Sequence, residues 1–179
     1  MTDFPFPSLT PEDEATFKLF PTNVTRMLLH TQGLTLPYLK FSGAFRDAKI
    51  SPMVRERVIA RVGAVTGSEY ELQSHHPEVL RTGTSEALLG AITDPSCHDF
   101  DDPALAVLMA YVDSAVHDHG AKEETLSALR EHFPDNEVAE ITLLAGQYLM
   151  TAVFLKSLSV PLDAGPPNWS ASESAMKEA

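Results

Sequence analysis

Cysteine is almost absent from this sequence, which has one, Cys97, among its 179 residues. A single cysteine excludes an internal disulfide framework, a CxxC dithiol and a zinc cluster built from cysteines. Basic residues are also scarce, since 13 Lys and Arg stand against 25 Asp and Glu, for a net charge of −12. Nucleic acids and anionic membrane surfaces both attract clustered Lys and Arg. We therefore expect no nucleic-acid partner and no membrane partner.

The sequence also lacks a secretory signal and a long uninterrupted apolar run. The opening MTDFPFP carries neither a basic segment nor an apolar stretch of signal length. The longest apolar stretch, residues 141–155, is interrupted by Thr142, Gln147 and Thr151 and is shorter than the roughly 18–20 residues of a spanning helix. The resulting expectation is a soluble, cytoplasmic protein.

Helix signals follow one another along the chain, and no alternating strand pattern accompanies them. Thr10-Pro11, Ser51-Pro52 and Asp102-Pro103 each place a capping side chain before a proline suited to the first helical turn. A proline inside one predicted helix, Pro77, predicts a kink or a break there. The first predicted helix begins at Pro11. The helices predicted after it span residues 21–31, 35–48, 52–67, 68–82, 86–92, 103–120, 122–132 and 137–158.

The predicted organisation is one all-α domain with a segment on either side. Residues 1–20 form an N-terminal extension with the first helix, residues 21–163 the helical domain, and residues 164–179 a flexible tail. The 44% of apolar residues suffices for a core. The last helix is apolar almost all round, so it is predicted to be buried on more than one side, either by a second subunit or within a monomeric bundle.

Titratable side chains are concentrated between residues 55 and 76. Glu71 and His75 lie four residues apart on one predicted helix, so their side chains can meet. Glu56 lies on the preceding helix, on a face that includes the small residue Gly63. A carboxylate and an imidazole in a partly dry pocket suit proton transfer, because burial and pairing shift their pKa values. The same spacing also fits an exposed ion pair, which is the commoner arrangement.

Two further groups of residues are weaker candidates for chemistry. Asp113 and His117 share a helix face, with Asp118 and His119 beside them. Adding His75 and His76 would suggest a metal site, but no HExxH or comparable ligand spacing supports it. We therefore predict no metal and interpret these residues as a polar helix end. Cys97 would be nucleophilic only with a base oriented towards it.

Four segments together follow a family pattern: residues 51–76, Phe100-Asp101-Asp102, residues 126–133 and the closing Val160-Pro161-Leu162-Asp163. On these segments the sequence resembles the carboxymuconolactone decarboxylase family, which shares its fold with alkyl hydroperoxidase D-like proteins. The resemblance extends from about residue 20 to residue 163. It implies an all-α helical bundle that assembles with copies of itself, as a trimer or a hexamer.

The resemblance also separates two branches of the fold. The positions that carry two cysteines in the peroxidase branch are Ser68 and Glu71 here, so a thiol peroxidase is disfavoured. The decarboxylase branch carries a glutamate four residues before its histidine, as Glu71 and His75 do. Its Trp-Glu-Glu-Phe run is matched in part by the residues Glu69-Tyr70-Glu71-Leu72.

The reaction that the resemblance implies is decarboxylation of a lactone-type carboxylic acid, a small-molecule substrate, without a cofactor. His75 would be the acid/base, Glu71 its orienting partner or the proton donor, and Glu56 a buried carboxylate behind them. The predicted substrate-binding residues are Arg57, Arg61, Ser68 and Tyr70, where either arginine would hold a carboxylate. An isomerase, dehydratase or cyclase acting on another lactone or polyketide-like substrate fits the same pair. A non-catalytic oligomeric binding protein, with the pair exposed or the pocket filled, is the remaining alternative.

Overall fold

The chain folds into an all-helical bundle, described by a computed structural model for residues 4–169. These residues contain helices and turns but no β-strand, which confirms the predicted fold class. In chain order the helices are α1 Pro11–Leu19, α2 Asn23–Leu28 with a 3₁₀ turn at Leu29–Thr31, α3 Thr35–Ala44, α4 Pro52–Thr66, α5 Glu69–Arg81, α6 Glu86–Ile92, α7 Pro103–His117, α8 Glu123–Arg130 and α9 Asp135–Ser157.

The turn between α4 and α5 brings two helices close together. α4 ends at Gly67, whose φ of 65° lies in the left-handed region that glycine adopts without strain. α5 begins immediately afterwards and packs back along α4. A Cβ added at Gly63 would lie 3.2 Å from the side chain of Leu72, so even an alanine there would require Leu72 to shift by a few tenths of an ångström.

The core is built around α4 and α9, which pack against each other while α5 and α7 also pack against α4. α9 is long and apolar enough to cross a membrane by length and composition alone. Its inner side is nevertheless buried in the bundle, with Ile141, Leu144 and Ala145 at most 2% exposed. Its outer side carries the exposed residues Leu143, Met150 and Val153.

Two local predictions differ from the structure. α5 runs through Pro77 as a single helix, so of the predicted kink or break the break does not occur. Pro77 cannot donate a backbone hydrogen bond, but His75 and Val79 on either side are buried and hold the helix by packing. α3 ends at Ala44 rather than at residue 48, and Phe45, the residue that caps it, is buried in the core.

A buried arginine connects α4 to α7 and to the loop after α6. Arg61 is fully buried, and its Nε and Nη2 donate to the two carboxylate oxygens of Asp113, each at 2.6 Å. Its remaining N–H groups donate to the backbone carbonyls of Ile92, Asp94 and Cys97 at 3.2, 2.8 and 3.1 Å. All five donors of the guanidinium are therefore used. Arg61, predicted to bind substrate, is instead a structural residue.

Replacing Asp113 with asparagine should destabilise the fold strongly, because it leaves the charge of Arg61 buried without its counter-ion. We expect the free energy of unfolding to fall by about 3 kcal/mol, measured by urea denaturation. Asp118→Asn, which breaks a more exposed pair with Lys122, is the matched control and should change stability by less than about 1 kcal/mol. Equal losses in the two variants would contradict the structural role of Arg61.

Candidate active site

Three side chains from three helices form a continuous hydrogen-bonded chain. His75 on α5 places its Nδ1 2.8 Å from Oε2 of Glu56 on α4. Its Nε2 lies 3.1 Å from the hydroxyl of Tyr148 on α9. Glu56 and His75 are 1% and 4% exposed. Because both ring nitrogens are engaged, the imidazole has a fixed orientation.

The surroundings of this chain determine which group holds each proton. Burial raises the pKa of Glu56, but His75 and Arg55 together outweigh that effect, so the pKa lies below its usual value. Arg55 Nε donates to Glu56 Oε1 at 2.9 Å. An ionised carboxylate only accepts, so Nδ1 of His75 donates to Glu56. Burial, with the charge of Glu56 adding to it, raises the pKa of Tyr148 well above its usual value, so the phenol keeps its proton.

The chain opens onto two adjoining cavities of about 40 and 60 Å³. Both are lined by Phe20, Leu39, Ser42, His75, Tyr148 and Trp169. The smaller one also reaches the guanidinium-bearing residues Arg46 and Arg55, and the larger one reaches Tyr38 and Glu71. The site is therefore mainly apolar, with cationic residues on one side and phenols and a carboxyl group on the other.

Glu71 lines the larger cavity as an unpaired acid. It is 3% exposed, and neither of its carboxyl oxygens has a hydrogen-bond partner within residues 4–169. Burial raises the pKa of Glu71 to about 8, against a smaller opposing effect of the nearby Ser68 hydroxyl. Ser68 Oγ, like the Glu71 carboxyl oxygens, has no hydrogen-bond partner among the described residues. Glu71 therefore carries a proton at neutral pH, which gives the cavity an acidic proton donor.

The orienting partner of His75 is Glu56, a residue 19 positions away, and not Glu71. The helical spacing of Glu71 and His75 allows them to meet, but Nδ1 of His75 is bonded to α4. Of the two roles that the sequence suggests for Glu71, the geometry leaves that of proton donor. Glu56, expected behind the pair, contacts the imidazole directly.

The predicted substrate-binding residues are dispersed in the structure. Arg57 donates from its Nε to the Thr84 hydroxyl at 3.2 Å, away from the residues that line the two cavities. Ser68 is buried beside Glu71 but is likewise not among the lining residues. Tyr70 does line the larger cavity, and its hydroxyl accepts from the Val24 N–H at 3.1 Å.

Three residues that the sequence reasoning missed belong to the site: Arg55, Tyr148 and Trp169. Arg55 lies four residues before Ile59 and shares its buried face, a signal that helical periodicity does contain. A tyrosine hydroxyl within the apolar α9 is a second usable signal, because a buried phenol requires a hydrogen-bond partner. No local pattern indicates Trp169.

Trp169 reaches the site because the C-terminal segment returns across the bundle. Asp163 anchors this segment by accepting from the Asn23 N–H at 2.9 Å and from the Tyr70 hydroxyl. The indole then lies with its centroid 4.8 Å from the ring of His75. Residues 164–169, the described part of the predicted tail, thus contribute to the site, and residues 170–179 lie outside the described residues.

Neither a thiol nor a cluster of metal ligands accompanies these side chains. Cys97, the only cysteine in the sequence, lies in the loop between α6 and α7 and does not line either cavity. Between residues 4 and 169, no three His, Cys, Asp or Glu side chains are close enough together to hold a metal ion. Asp113, considered above as a ligand, is paired with Arg61.

Comparison with known proteins gives matches in structure only, since no family model and no curated protein matches the sequence. The debrominase Bmp8 matches with a TM-score of 0.75 at 13% identity, covering 99% of this chain and 98% of that one. An uncharacterized peroxidase-related protein with the alkylhydroperoxidase AhpD core, from Ralstonia eutropha JMP134, matches with a TM-score of 0.74 at 15% identity, covering 90% and 92%. This chain has the AhpD-like fold.

The likeness to AhpD-like proteins confirms the predicted all-α architecture. It does not indicate a substrate, because the sequence identities are only 13% and 15%. A further match is a C-to-A variant of the debrominase Bmp8 in complex with 2,3,4-tribromopyrrole, with a TM-score of 0.72 at 12% identity and covering 99% and 97% of the two chains.

Glu71→Gln should alter how stability depends on pH. Glu71 binds its proton more tightly in the folded than in the unfolded chain. The free energy of unfolding therefore falls as the pH rises from the usual pKa of Glu71, 4.5, towards its folded-state pKa of about 8. The wild type should therefore lose stability relative to Glu71→Gln across this interval and no further above it.

Urea denaturation at a series of pH values measures this difference. Glu69→Gln, which changes an exposed glutamate on the same helix, is the matched control and should show no comparable divergence. Parallel profiles for the wild type and Glu71→Gln would mean that Glu71 is not a buried, protonated acid.

Proposed function

We propose that this AhpD-like protein is an acid/base enzyme that works without a thiol or a cofactor on a small conjugated carboxylic acid or lactone. The observation that supports the proposal is the fixed imidazole of His75, held between Glu56 and Tyr148 at the wall of an apolar cavity. An imidazole oriented by a buried carboxylate is a common arrangement for moving protons.

Each member of the chain has a separate task in this proposal. Glu56 stabilises the imidazolium that forms when His75 takes up a proton. Tyr148 donates to Nε2 while the imidazole is neutral and so fixes the tautomer in which Nε2 is unprotonated; Nε2 takes up a proton once the substrate displaces this hydroxyl. Glu71, protonated through burial, supplies a proton to a carbon atom of the substrate. A base and an acid in different surroundings can then act in one cycle.

Decarboxylation is the reaction we favour within this class. Arg46 and Arg55 line the smaller cavity and give a substrate carboxylate a cationic neighbourhood. When the bond to that carboxylate breaks, CO2 leaves and the electron pair stays on the substrate carbon. A conjugated lactone carbonyl delocalises this pair as a dienolate, and a proton from Glu71 or His75 then quenches it at carbon.

Two other functions use the same geometry differently. An isomerase, dehydratase or cyclase would need the same His75 and a proton donor on another lactone or polyketide-like substrate. A binding protein without catalysis predicts that Glu71 and His75 are exposed or that the pocket is filled. Both residues are buried and not exposed, which favours an enzyme, and the cavity that they line is partly filled by Trp169. The tribromopyrrole bound by the debrominase variant is also a small planar ring, as the proposed substrates are.

A turnover assay on 4-carboxymuconolactone, following CO2 release and substrate absorbance, tests the proposal. His75→Ala should lower kcat about 10²–10⁴-fold, because it removes the positioned acid/base. His76→Ala is the matched control, since this neighbouring histidine is exposed and does not line either cavity. Turnover of another lactone with the same dependence on His75 would retain acid/base catalysis and discard decarboxylation. Turnover that is unchanged in His75→Ala would contradict both.

We also propose that the chain forms homo-oligomers through the outer face of α9. Leu143, Met150 and Val153 are 52–59% exposed there, and residues 141–155 contain no charge. Large apolar side chains on one helix face commonly mark an interface. A second copy is the occupant that agrees with the trimer or hexamer implied by the family resemblance.

Met150→Glu should therefore reduce the molar mass measured by light scattering after size exclusion to that of a smaller assembly. A carboxylate buried in an apolar interface has no partner there and opposes association. Leu126→Glu, at an exposed leucine on α8, is the control and should leave the mass unchanged. A wild-type protein that is monomeric at micromolar concentration would refute the oligomer.

A further inference from the structure

The indole of Trp169 lies where a substrate ring would have to lie. It lines both cavities, and these measure about 40 and 60 Å³. A single water requires roughly 10–15 Å³ in such a measure, so each cavity holds a few waters at most. A ring-sized substrate therefore does not fit beside His75 while the indole is in place.

The site contacts this indole as it would contact a bound aromatic molecule. The rings of His75 and Phe20 lie 4.8 and 4.9 Å from it, tilted by 41° and 35°. The guanidinium of Arg46 lies over the indole at 5.1 Å from its centroid. The indole N–H donates to the carbonyl oxygen of Ser74 at 3.4 Å. Stacking and cation–π contacts of this kind favour flat, electron-rich rings.

The attachment of Trp169 permits it to leave. The firm anchor is Asp163, six positions earlier in the chain, through its bonds to Asn23 and Tyr70. Between anchor and indole, Gly165 lies in open space, with nothing within 4 Å of an added Cβ. The bond from the indole to Ser74 is at the long end of the hydrogen-bond range. Displacing the indole would break this bond and the ring contacts but neither of the bonds that Asp163 makes.

We propose that Trp169 occupies the substrate position, and that the site takes a planar, conjugated ring which replaces the indole between His75, Phe20 and Arg46. This inference rests on the proposed function, since it assumes that the cavity beside His75 is the substrate site. It narrows the substrate class from small conjugated carboxylic acids and lactones to those that contain a flat, unsaturated ring. It also makes Trp169 the residue that excludes ligands unable to compete with an indole.

Indole itself is the probe that tests this proposal on the full-length chain. Trp169→Ala should bind indole saturably, one molecule per chain, at least tenfold more tightly than the wild type by calorimetry. NMR shifts should be confined to residues around His75, Phe20 and Ser74. Phe41→Ala, which removes an exposed aromatic ring outside the cavity lining, is the control and should bind indole no better than the wild type.

The outcomes separate this inference from the proposed function. Equal indole binding by the wild type and Trp169→Ala, or NMR shifts away from His75, would overturn the inference even if His75-dependent turnover is found. Indole binding at the site together with no His75-dependent turnover would support the ring-binding site and contradict the proposed enzymatic function. Thermal melts check that Trp169→Ala is folded. If Trp169→Ala is unfolded, Trp169→Leu, which keeps an apolar side chain of intermediate size, is used in its place.

Discussion

The hydrogen bond between His75 Nδ1 and Glu56 Oε2 joins the two helices on which the site is built, at 2.8 Å and out of contact with water. It depends on the close approach of α4 and α5, which the glycine at position 63 allows. A buried carboxylate would destabilise the fold if it had no partner. The imidazole and Arg55 satisfy it, so the contact that holds the helices together also orients the group that we propose to be catalytic.

Two buried glutamates on the neighbouring helices α4 and α5 have opposite protonation states because their surroundings differ. Glu56 is surrounded by His75 and Arg55, and these lower its pKa more than burial raises it. Glu71 has burial without a partner, and its pKa rises to about 8. The same side chain is thus an ionised carboxylate in one place and a protonated acid in the other. Pairs of titratable groups separated in this way are typical of acid/base sites.

Local sequence signals predict most of the helices of this fold. The features of the site that they do not predict depend on contacts between residues far apart in the chain. Capping residues such as Ser51 and Asp102 mark helix starts correctly, because their hydrogen bonds are made within four residues. The partner of His75 comes from another helix, so spacing within α5 pointed to Glu71 instead. Arg61 has the appearance of a ligand-binding arginine in sequence, and only the fold reveals that Asp113 and three carbonyls use all its donors. Trp169 depends on a chain reversal anchored by Asp163, which no local pattern encodes.

The most direct measurement of the central claim is the tautomer of His75, read from its ¹⁵N chemical shifts at a pH where the ring is neutral. The geometry predicts a proton on Nδ1, donated to an ionised Glu56, and an unprotonated Nε2 that accepts from Tyr148. Glu56→Gln should weaken this preference. A neutral ring with its proton on Nε2 and a bare Nδ1 would require Glu56 to be protonated, and would contradict the acid/base role assigned to the site.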